Sequence, residues 1–135
     1  MSAFNEISEP AEQVLKGLNV LAVDDENMTL GMLEDILEME GAIVATATDG
    51  KSAFTLASTQ PFDVILMDYQ MPEWDGVRAT QEIRNIGITT PIIALTAASE
   101  AEKDELLSLG MNDYYQKPVE FDSLLELIAK WGASA

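Results

Sequence analysis

The stretch that decides the fold is Phe62-Asp63-Val64-Ile65-Leu66-Met67-Asp68, a short apolar run that ends in a carboxylate. Runs of this length that are rich in Val, Ile and Leu and flanked by turn residues are typical of strands buried on both faces. Three further runs of this kind end in polar side chains, namely Asp24 with Asp25, Thr96, and Lys117. If the strands are parallel, their carboxyl ends share one edge of the sheet, and these side chains meet there.

Strand-like and helix-like segments alternate five times from Leu18 onward, which predicts βα units around one parallel sheet. The remaining strand, from about Ile43 to Thr46, ends in no reactive side chain. This is expected of an edge strand in the doubly wound order 2-1-3-4-5, whose ligand crevice lies elsewhere. Right-handed crossovers then place helices on both faces. The predicted fold class is therefore α/β, with a five-stranded parallel sheet of order 2-1-3-4-5, doubly wound, and five helices.

Several residues predict where helices begin and which faces they bury. Asp49-Gly50 opens the second helix, Asp75 caps the third, and Ser99-Glu100-Ala101-Glu102 is a capping box for the fourth. The first helix, from Met28 to Glu40, is predicted to bury one apolar face. That face consists of Met28, Met32, Leu33, Ile36 and Leu37.

Composition excludes several classes of function. The 135 residues include no Cys and no His, so the chain has no disulfide, no cysteine nucleophile and no phosphohistidine of its own. Its 24 acidic and 7 basic residues give a formal net charge of −17, which predicts no binding to nucleic acid and no direct membrane contact. Apolar runs of about six residues fall short of the ~20 that a membrane helix needs, and no secretory signal is present. These features favour a cytoplasmic location.

The polar strand ends form a set of groups with a shared chemistry. Asp24, Asp25 and Asp68 would repel one another in a crevice unless a cation lies between them, and oxygen ligands alone indicate Mg²⁺. Helix capping ahead of Asn27 is the alternative for the first two acids. A carboxylate at a rigid strand end can attack phosphorus, while an ammonium and a hydroxyl neutralise and bind the transferring group.

The chain resembles the receiver domain of two-component response regulators over roughly Leu18 to Trp131. Each motif is short, but five occur in the order and approximate spacing of that family. They are Val23-Asp24-Asp25-Glu26, Met67-Asp68-Tyr69-Gln70-Met71-Pro72, Asp75-Gly76, Leu95-Thr96-Ala97 and Lys117-Pro118. The resemblance, which includes chemotaxis-type regulators, implies a flavodoxin-like fold and a phosphorylation-controlled signalling role. It also implies a module that assists its own phosphorylation and dephosphorylation without being an enzyme.

The resemblance implies a role for each site residue. Asp68 would accept a phosphoryl group from a phosphohistidine on a histidine kinase or histidine phosphotransfer protein. Mg²⁺ would be held by Asp25, Asp68 and the backbone carbonyl of Gln70, with Asp24 acting through water. Phosphoryl oxygens would be bound by Thr96, Lys117 and the backbone N–H of Ala97. Thr96 and the aromatic Tyr114 would then switch the surface of helix 4, strand 5 and helix 5 for a downstream target.

Composition together with the resemblance sets the domain limits, and alternatives for the function stay open. Residues 1–17 are predicted to be a flexible leader or linker, 18–132 the receiver domain and 133–135 a tail. The lead-in Leu15-Lys16-Gly17-Leu18 also resembles receivers of hybrid histidine kinases, so the domain is either a stand-alone receiver or part of such a kinase. A haloacid-dehalogenase-type phosphatase is disfavoured by Gln70, where those enzymes usually carry a second Asp. A receiver that acts without phosphorylation is the third possibility.

Overall fold

Five parallel strands lie at the centre of the computed structural model, which describes residues 13–71, 73–97 and 103–133. The strands are β1 Asn19–Val23, β2 Ile43–Ala47, β3 Val64–Asp68, β4 Ile92–Thr96 and β5 Asp113–Gln116. The helices within those residues are α1 Asn27–Met39, α2 Gly50–Thr59, α3 Gly76–Asn85, α4 Lys103–Ser108 and α5 Phe121–Ala133. The strand order is β2-β1-β3-β4-β5, which confirms the predicted doubly wound α/β fold.

The sheet is covered by helices on both faces, as its sequence pattern predicts. Every residue of β3 and β4 is buried, because alternate side chains pack into two separate apolar clusters. One cluster joins the sheet to α2, α3 and α4 through Ala53, Ile83 and Leu106. The other joins it to α1 and α5 through Leu37 and Ile128. The two faces are therefore closed, and the carboxyl edge of the strands is left for chemistry.

The buried face of α1 differs from the predicted one. Leu30, Leu33 and Leu37 are buried, whereas Met28 and Met32 are 76% and 49% exposed. The prediction that both methionines face the core is therefore wrong. Two apolar stripes overlap on this helix, and the leucine stripe occupies the core because it carries i, i+3 and i+7 spacing.

Packed structure begins before the predicted domain boundary at residue 18. Leu15 is fully buried, and its backbone N–H donates to the carbonyl of Glu40 at 3.0 Å. The backbone N–H of Gly17 donates to the carbonyl of Gly41, also at 3.0 Å. Residues 13–17 thus close the carboxyl end of α1. The rest of the predicted leader, residues 1–12, lies outside the described residues, as do the capping box at residues 99–102 and residues 134–135 of the predicted tail.

Local caps position the two loops that flank the carboxyl edge. The side chain of Asp49 accepts from the backbone N–H of Ser52 at 2.7 Å, and that of Asp75 accepts from Arg78 at 2.9 Å. Both predicted helix starts are therefore confirmed. Across the described ranges, each helix is too short or too polar to cross a bilayer.

Candidate functional site

Asp68 occupies the carboxyl end of the central strand β3 and is 4% exposed. Register pairs Met67 of β3 with Val23 of β1, so the next residue along each strand, Asp68 and Asp24, leaves the sheet at the same level. On the other side, Asp68 pairs with Leu95, directly before Thr96. Parallel register alone therefore brings these polar residues to one edge, as expected from the sequence.

Three carboxylates converge at this edge. Asp24, Asp25 and Asp68 each offer an oxygen, and the three oxygens all lie within 4.8 Å of one another. Asp24 is buried and accepts a 2.8 Å hydrogen bond from the backbone N–H of Glu26, whereas Asp25 is exposed. The residue at the N-cap position of α1 is Glu26. Asp24 therefore orders the turn between β1 and α1 without occupying the N-cap position, which weakens the capping alternative.

Lys117 follows β5 and is the cation of the cluster. Its Nζ lies 3.4 Å from Oδ1 of Asp68 and 3.5 Å from Oδ2 of Asp24. Its backbone N–H donates to the carbonyl of Thr96 at 2.7 Å, which fixes the lysine beside β4. Charge-assisted hydrogen bonds of this kind are usually about 2.7–2.9 Å long, so both contacts are loose.

The charges of the cluster change the protonation of its members. Burial, followed by the charge of Asp24, raises the pKa of Asp68 from 3.8 to about 6, and Lys117 only partly opposes this. Burial lowers the pKa of Lys117, but the charges of Asp68 and Asp24 outweigh it and hold that pKa above its usual value. Three carboxylates facing one ammonium thus leave an excess of negative charge that favours a cation.

The seven residues that were predicted to bind metal or phosphoryl oxygens all line one cavity of about 340 Å³. Its lining consists of Asp24, Asp25, Glu26, Asp68, Gln70, Thr96, Ala97 and Lys117. Thr96 is 2% exposed, and the backbone N–H of Gln70 donates to Oδ1 of Asp68 at 3.3 Å. Glu26 is the one lining residue that sequence reasoning missed. Its position directly after the acid pair is the signal that could have identified it.

The donor set fits a hard divalent cation. Carboxylate oxygens and a backbone carbonyl are the ligands that Mg²⁺ uses, together with retained water. The three carboxylate oxygens lie within 4.8 Å of one another, and ligands on opposite sides of Mg²⁺ are about 4 Å apart, so small side-chain adjustments suffice for a shared ion. The described residues therefore supply a chemically suitable site.

The two adjacent tyrosines of β5 lie on opposite faces of the sheet. Tyr114 pairs in register with Ala94 and packs with the α2–α4 cluster, on the face that Thr96 shares through strand alternation. The hydroxyl of Tyr115 accepts from the backbone N–H of Glu120 and donates to its carbonyl, both at 3.0 Å. Tyr115 is thus tied to the start of α5. Tyr114 does not line the cavity, but it lies on the same face of the sheet as Thr96, which does.

Comparison with known proteins identifies the arrangement. A family model described as "Response regulator receiver domain" matches residues 20–129. The sensor histidine kinase GacS of Pseudomonas protegens is 40% identical over 131 residues, which cover 92% of this chain and 14% of that protein. A 14.6 kDa protein of Leptolyngbya boryana is 38% identical over 88% of this chain and 93% of that protein. The chain thus spans about a seventh of the length of GacS. The family match favours a receiver over a haloacid-dehalogenase-type phosphatase.

Solved structures of receivers superpose on nearly the whole described fold. The receiver domain of the Francisella response regulator 1452 matches with TM-score 0.84 and 33% identity, over 87% of this chain and 98% of that one. The receiver domain of sensor kinase PA1611 from Pseudomonas aeruginosa, solved with magnesium in its active-site cleft, matches with TM-score 0.79 and 38% identity, over 87% and 98%. The receiver domain of yeast Ssk1, solved with the phosphotransfer protein Ypd1, matches with TM-score 0.83 and 29% identity, over 88% and 91%.

Proposed function

The chain belongs to the response regulator receiver domain family, and we propose that Asp68 is the residue that accepts the phosphoryl group. The observation that carries this assignment is the position of Asp68. It ends the central strand, is nearly buried, and faces a cavity in which two further carboxylates and one ammonium converge. The module is thus a phosphoacceptor in signalling.

The proposed reaction is a transfer between two side chains. A carboxylate oxygen of Asp68 forms a bond to phosphorus while the P–N bond of a partner's phosphohistidine breaks. The departing imidazole nitrogen keeps the electron pair and takes up a proton. Lys117 and Thr96 stabilise the charge on the phosphoryl oxygens during the transfer, and the backbone N–H of Ala97 also binds a phosphoryl oxygen. Asp68 must be ionised to attack. Because its pKa of about 6 lies below neutral pH, most of it is ionised there.

Asp25, Asp68 and the backbone carbonyl of Gln70 would hold Mg²⁺ directly, with Asp24 acting through water. The ion would supply positive charge to phosphoryl oxygens. Asp24 also keeps its hydrogen bond to Glu26, so it holds the turn that presents Asp25. These same residues would assist both phosphorylation and the later attack of water on the aspartyl phosphate.

The response to phosphorylation is proposed to pass through Thr96 and Tyr114. Both lie on the same face of the sheet, two residues apart in register, and that face packs against α4. Movement of Thr96 toward a phosphoryl oxygen opens space into which Tyr114 can turn. The equilibrium between two conformations of the surface formed by α4, β5 and α5 then shifts. Tyr115 is held on the other face by Glu120, so Tyr114 is the ring suited to switching. A downstream target would read the changed surface.

The partner that delivers the phosphoryl group is proposed to be a histidine kinase or a histidine phosphotransfer protein. Its histidine must approach Asp68, so the partner contacts the rim of the cavity. An apolar groove of about 270 Å³ opens beside Lys117 there, with Met32, Val119 and Phe121 in its lining. The exposed Met28 lies one turn before Met32 on α1. No nucleic-acid partner, no direct membrane contact and a cytoplasmic location remain predictions from composition.

Phosphorylation by acetyl phosphate and Mg²⁺ tests the assignment. Intact-mass spectrometry should find one phosphoryl group that is stable in acid and labile in base. Asp68→Asn should abolish it, whereas the matched control Asp75→Asn should retain it, because Asp75 is an exposed cap and Asn caps equally well. Unchanged labelling of Asp68→Asn would show that the acceptor has been assigned wrongly.

A binding assay with Asp68→Ala tests the alternative of a receiver that acts without phosphorylation. If Asp68→Ala binds the partner as the phosphorylated wild type does, the domain acts without phosphorylation.

A further inference from the structure

The loop between β3 and α3 carries Gln70 and is closed at its base. The backbone N–H of Gly76 donates to the carbonyl of Tyr69 at 3.0 Å. A Cβ at Gly76 would lie 2.4 Å from the carbonyl oxygen of Asp68, so only glycine permits this approach. Glu73 adopts φ +64°, a left-handed conformation uncommon for a residue with a Cβ. The base of the loop is therefore fixed by backbone contacts, and the buried side chain of Met71 packs in the core beside Gln70, which leaves Glu73 and Trp74 to be supported from outside.

Trp74 supplies that support by linking the loop to two helices. Its ring centre lies 5.9 Å from that of Phe54 on α2, and the guanidinium carbon of Arg78 on α3 lies 4.3 Å from it. A Cβ at Gly50 would lie 2.3 Å from the backbone oxygen of Trp74, so the loop backbone rests directly on the first residue of α2. Trp74 is thus held on its ring and on its backbone.

The space between Trp74 and the acidic site is open. A cavity of about 450 Å³ has Trp74 and Asp25 in its lining, together with Thr48 and Asp49. The outer half of the loop therefore meets a wide cavity on the side of Asp25. Its position relative to the carboxylates depends on the contacts of Trp74 with Gly50, Phe54 and Arg78.

We propose that Trp74 is a positioning residue that sets the affinity of the acidic site for Mg²⁺ without touching the ion. The proposal rests on the proposed function, in which the carbonyl of Gln70 is a ligand. Mg²⁺ requires nearly ideal octahedral geometry, so a small displacement of the loop weakens the whole ligand set. Loss of the Trp74 contacts would permit such a displacement, because among the described loop residues the packing of Met71 would then be the main support beyond the base.

Isothermal titration calorimetry with MgCl₂ tests the proposal on the full chain. Trp74→Ala should raise the Kd by roughly tenfold, the lower end of what loss of a supporting residue around a metal site costs. Trp74→Phe keeps an aromatic ring against Phe54 and Arg78 and should restore the Kd to within about threefold of wild type. Trp131→Phe is the matched control, because Trp131 lies on α5 and bonds to Asp113; its Kd should be unchanged.

Arg78→Gln gives a second, milder variant. Arg78 is exposed, so its replacement leaves the core intact while removing the cation from the ring. We expect the Kd to rise about twofold to threefold.

The Trp131→Phe variant also retains only one of the two tryptophans of the chain, Trp74. The fluorescence emission of Trp74 in that variant should change on addition of Mg²⁺.

The outcomes separate this proposal from the assignment of the site. If Trp74→Ala shows wild-type circular dichroism and a wild-type Kd, the positioning role is overturned and the metal site stands. A Trp74→Phe variant as weak as Trp74→Ala also overturns it. If the wild type itself binds no Mg²⁺ at neutral pH, the proposed metal site fails and the role of Trp74 fails with it.

Discussion

Lys117 and Arg84 are half-buried cations at opposite edges of the same sheet, and their surroundings differ. Arg84 donates to the carbonyls of Gly110, Ile88 and Thr90 and to Oδ1 of Asn112, at 2.7–3.0 Å. These acceptors precede β4 and β5, so Arg84 lies at the amino edge. Lys117, at the carboxyl edge, makes contacts of 3.4 and 3.5 Å to carboxylates.

The difference distinguishes a cation with a structural role, Arg84, from one that we propose takes part in the reaction, Lys117. Arg84 makes four hydrogen bonds to neutral oxygens, with no carboxylate among those acceptors, and burial lowers its pKa. Lys117 is loosely bonded among excess negative charge, and its pKa is raised. Added Mg²⁺ can therefore improve the electrostatics at the carboxyl edge and leave Lys117 free to bond a phosphoryl oxygen, whereas Arg84 already has well-placed acceptors.

Replacement of Arg84 should have the largest effect on stability. Arg84→Ala removes four hydrogen bonds to part-buried acceptors and should lower the free energy of unfolding by about 4 kcal/mol. Urea unfolding measures this, with Arg78→Ala as the exposed control, for which a loss below about 1 kcal/mol is expected. Acetyl phosphate should still label the folded fraction of Arg84→Ala at low temperature. A loss below about 1 kcal/mol for Arg84→Ala would remove the structural half of the comparison.

Replacement of Lys117 should affect the reaction more than the fold. Lys117→Met should slow labelling of Asp68 by about 100-fold, since one charged donor to the transferring group is lost. The free energy of unfolding should change by only about 1 kcal/mol, because the ion pairs are long and partly exposed. Rates from time-resolved intact-mass spectrometry and urea unfolding give both quantities. Equal destabilisation of the Lys117 and Arg84 variants would contradict the comparison.

Asp68→Asn should stabilise the metal-free protein above pH 6. The folded-state pKa of Asp68 is raised from 3.8 to about 6, so the folded state holds this proton more tightly than the unfolded state. That stabilisation is complete below about pH 4 and is lost as pH rises through about 6. The neutral Asn avoids the loss, so the variant should gain about 2 kcal/mol over wild type at pH 8 and little at pH 4. Urea unfolding with EDTA at both pH values checks the sign.

The smallest effect is expected at Tyr115. Tyr115→Phe removes a hydroxyl that both accepts from and donates to the backbone of Glu120, and should cost about 1 kcal/mol of stability. The melting temperature should fall while labelling of Asp68 stays unchanged. A change in labelling rate would mean that Tyr115, and not only Tyr114, is coupled to the site.

The sheet and the cluster could be predicted because both depend on strand ends. Asp24, Asp68 and Thr96 directly follow or end buried apolar runs, and parallel register brings such residues together regardless of loop detail. The resemblance suggested Tyr114 as the switching ring, which stays a proposal, and alternation along β5 places Tyr114 on the face that Thr96 shares.

The rest depended on contacts that a sequence does not display. The partners of Arg84 are mostly backbone carbonyls, which every residue carries, and the farthest partner is 28 positions away. The exposure of Met28 and Met32 follows from the rotation of α1, which apolar counts on two overlapping stripes do not determine. Trp74 is easily noticed in the sequence, but its contact with Gly50 could be recognised only from the conformation of the loop.

The burial of Leu15 defines what can be exchanged between signalling proteins by recombination. Leu15 fills a socket in the cluster that contains Leu33 and Leu37, and its backbone closes the end of α1. A chimera joined at residue 18 would inherit that socket without its occupant, a defect comparable to a buried Leu→Ala change and worth about 3 kcal/mol. We therefore expect a graft that starts at or before Gln13 to be more stable, because it retains the residues that cover the carboxyl end of α1.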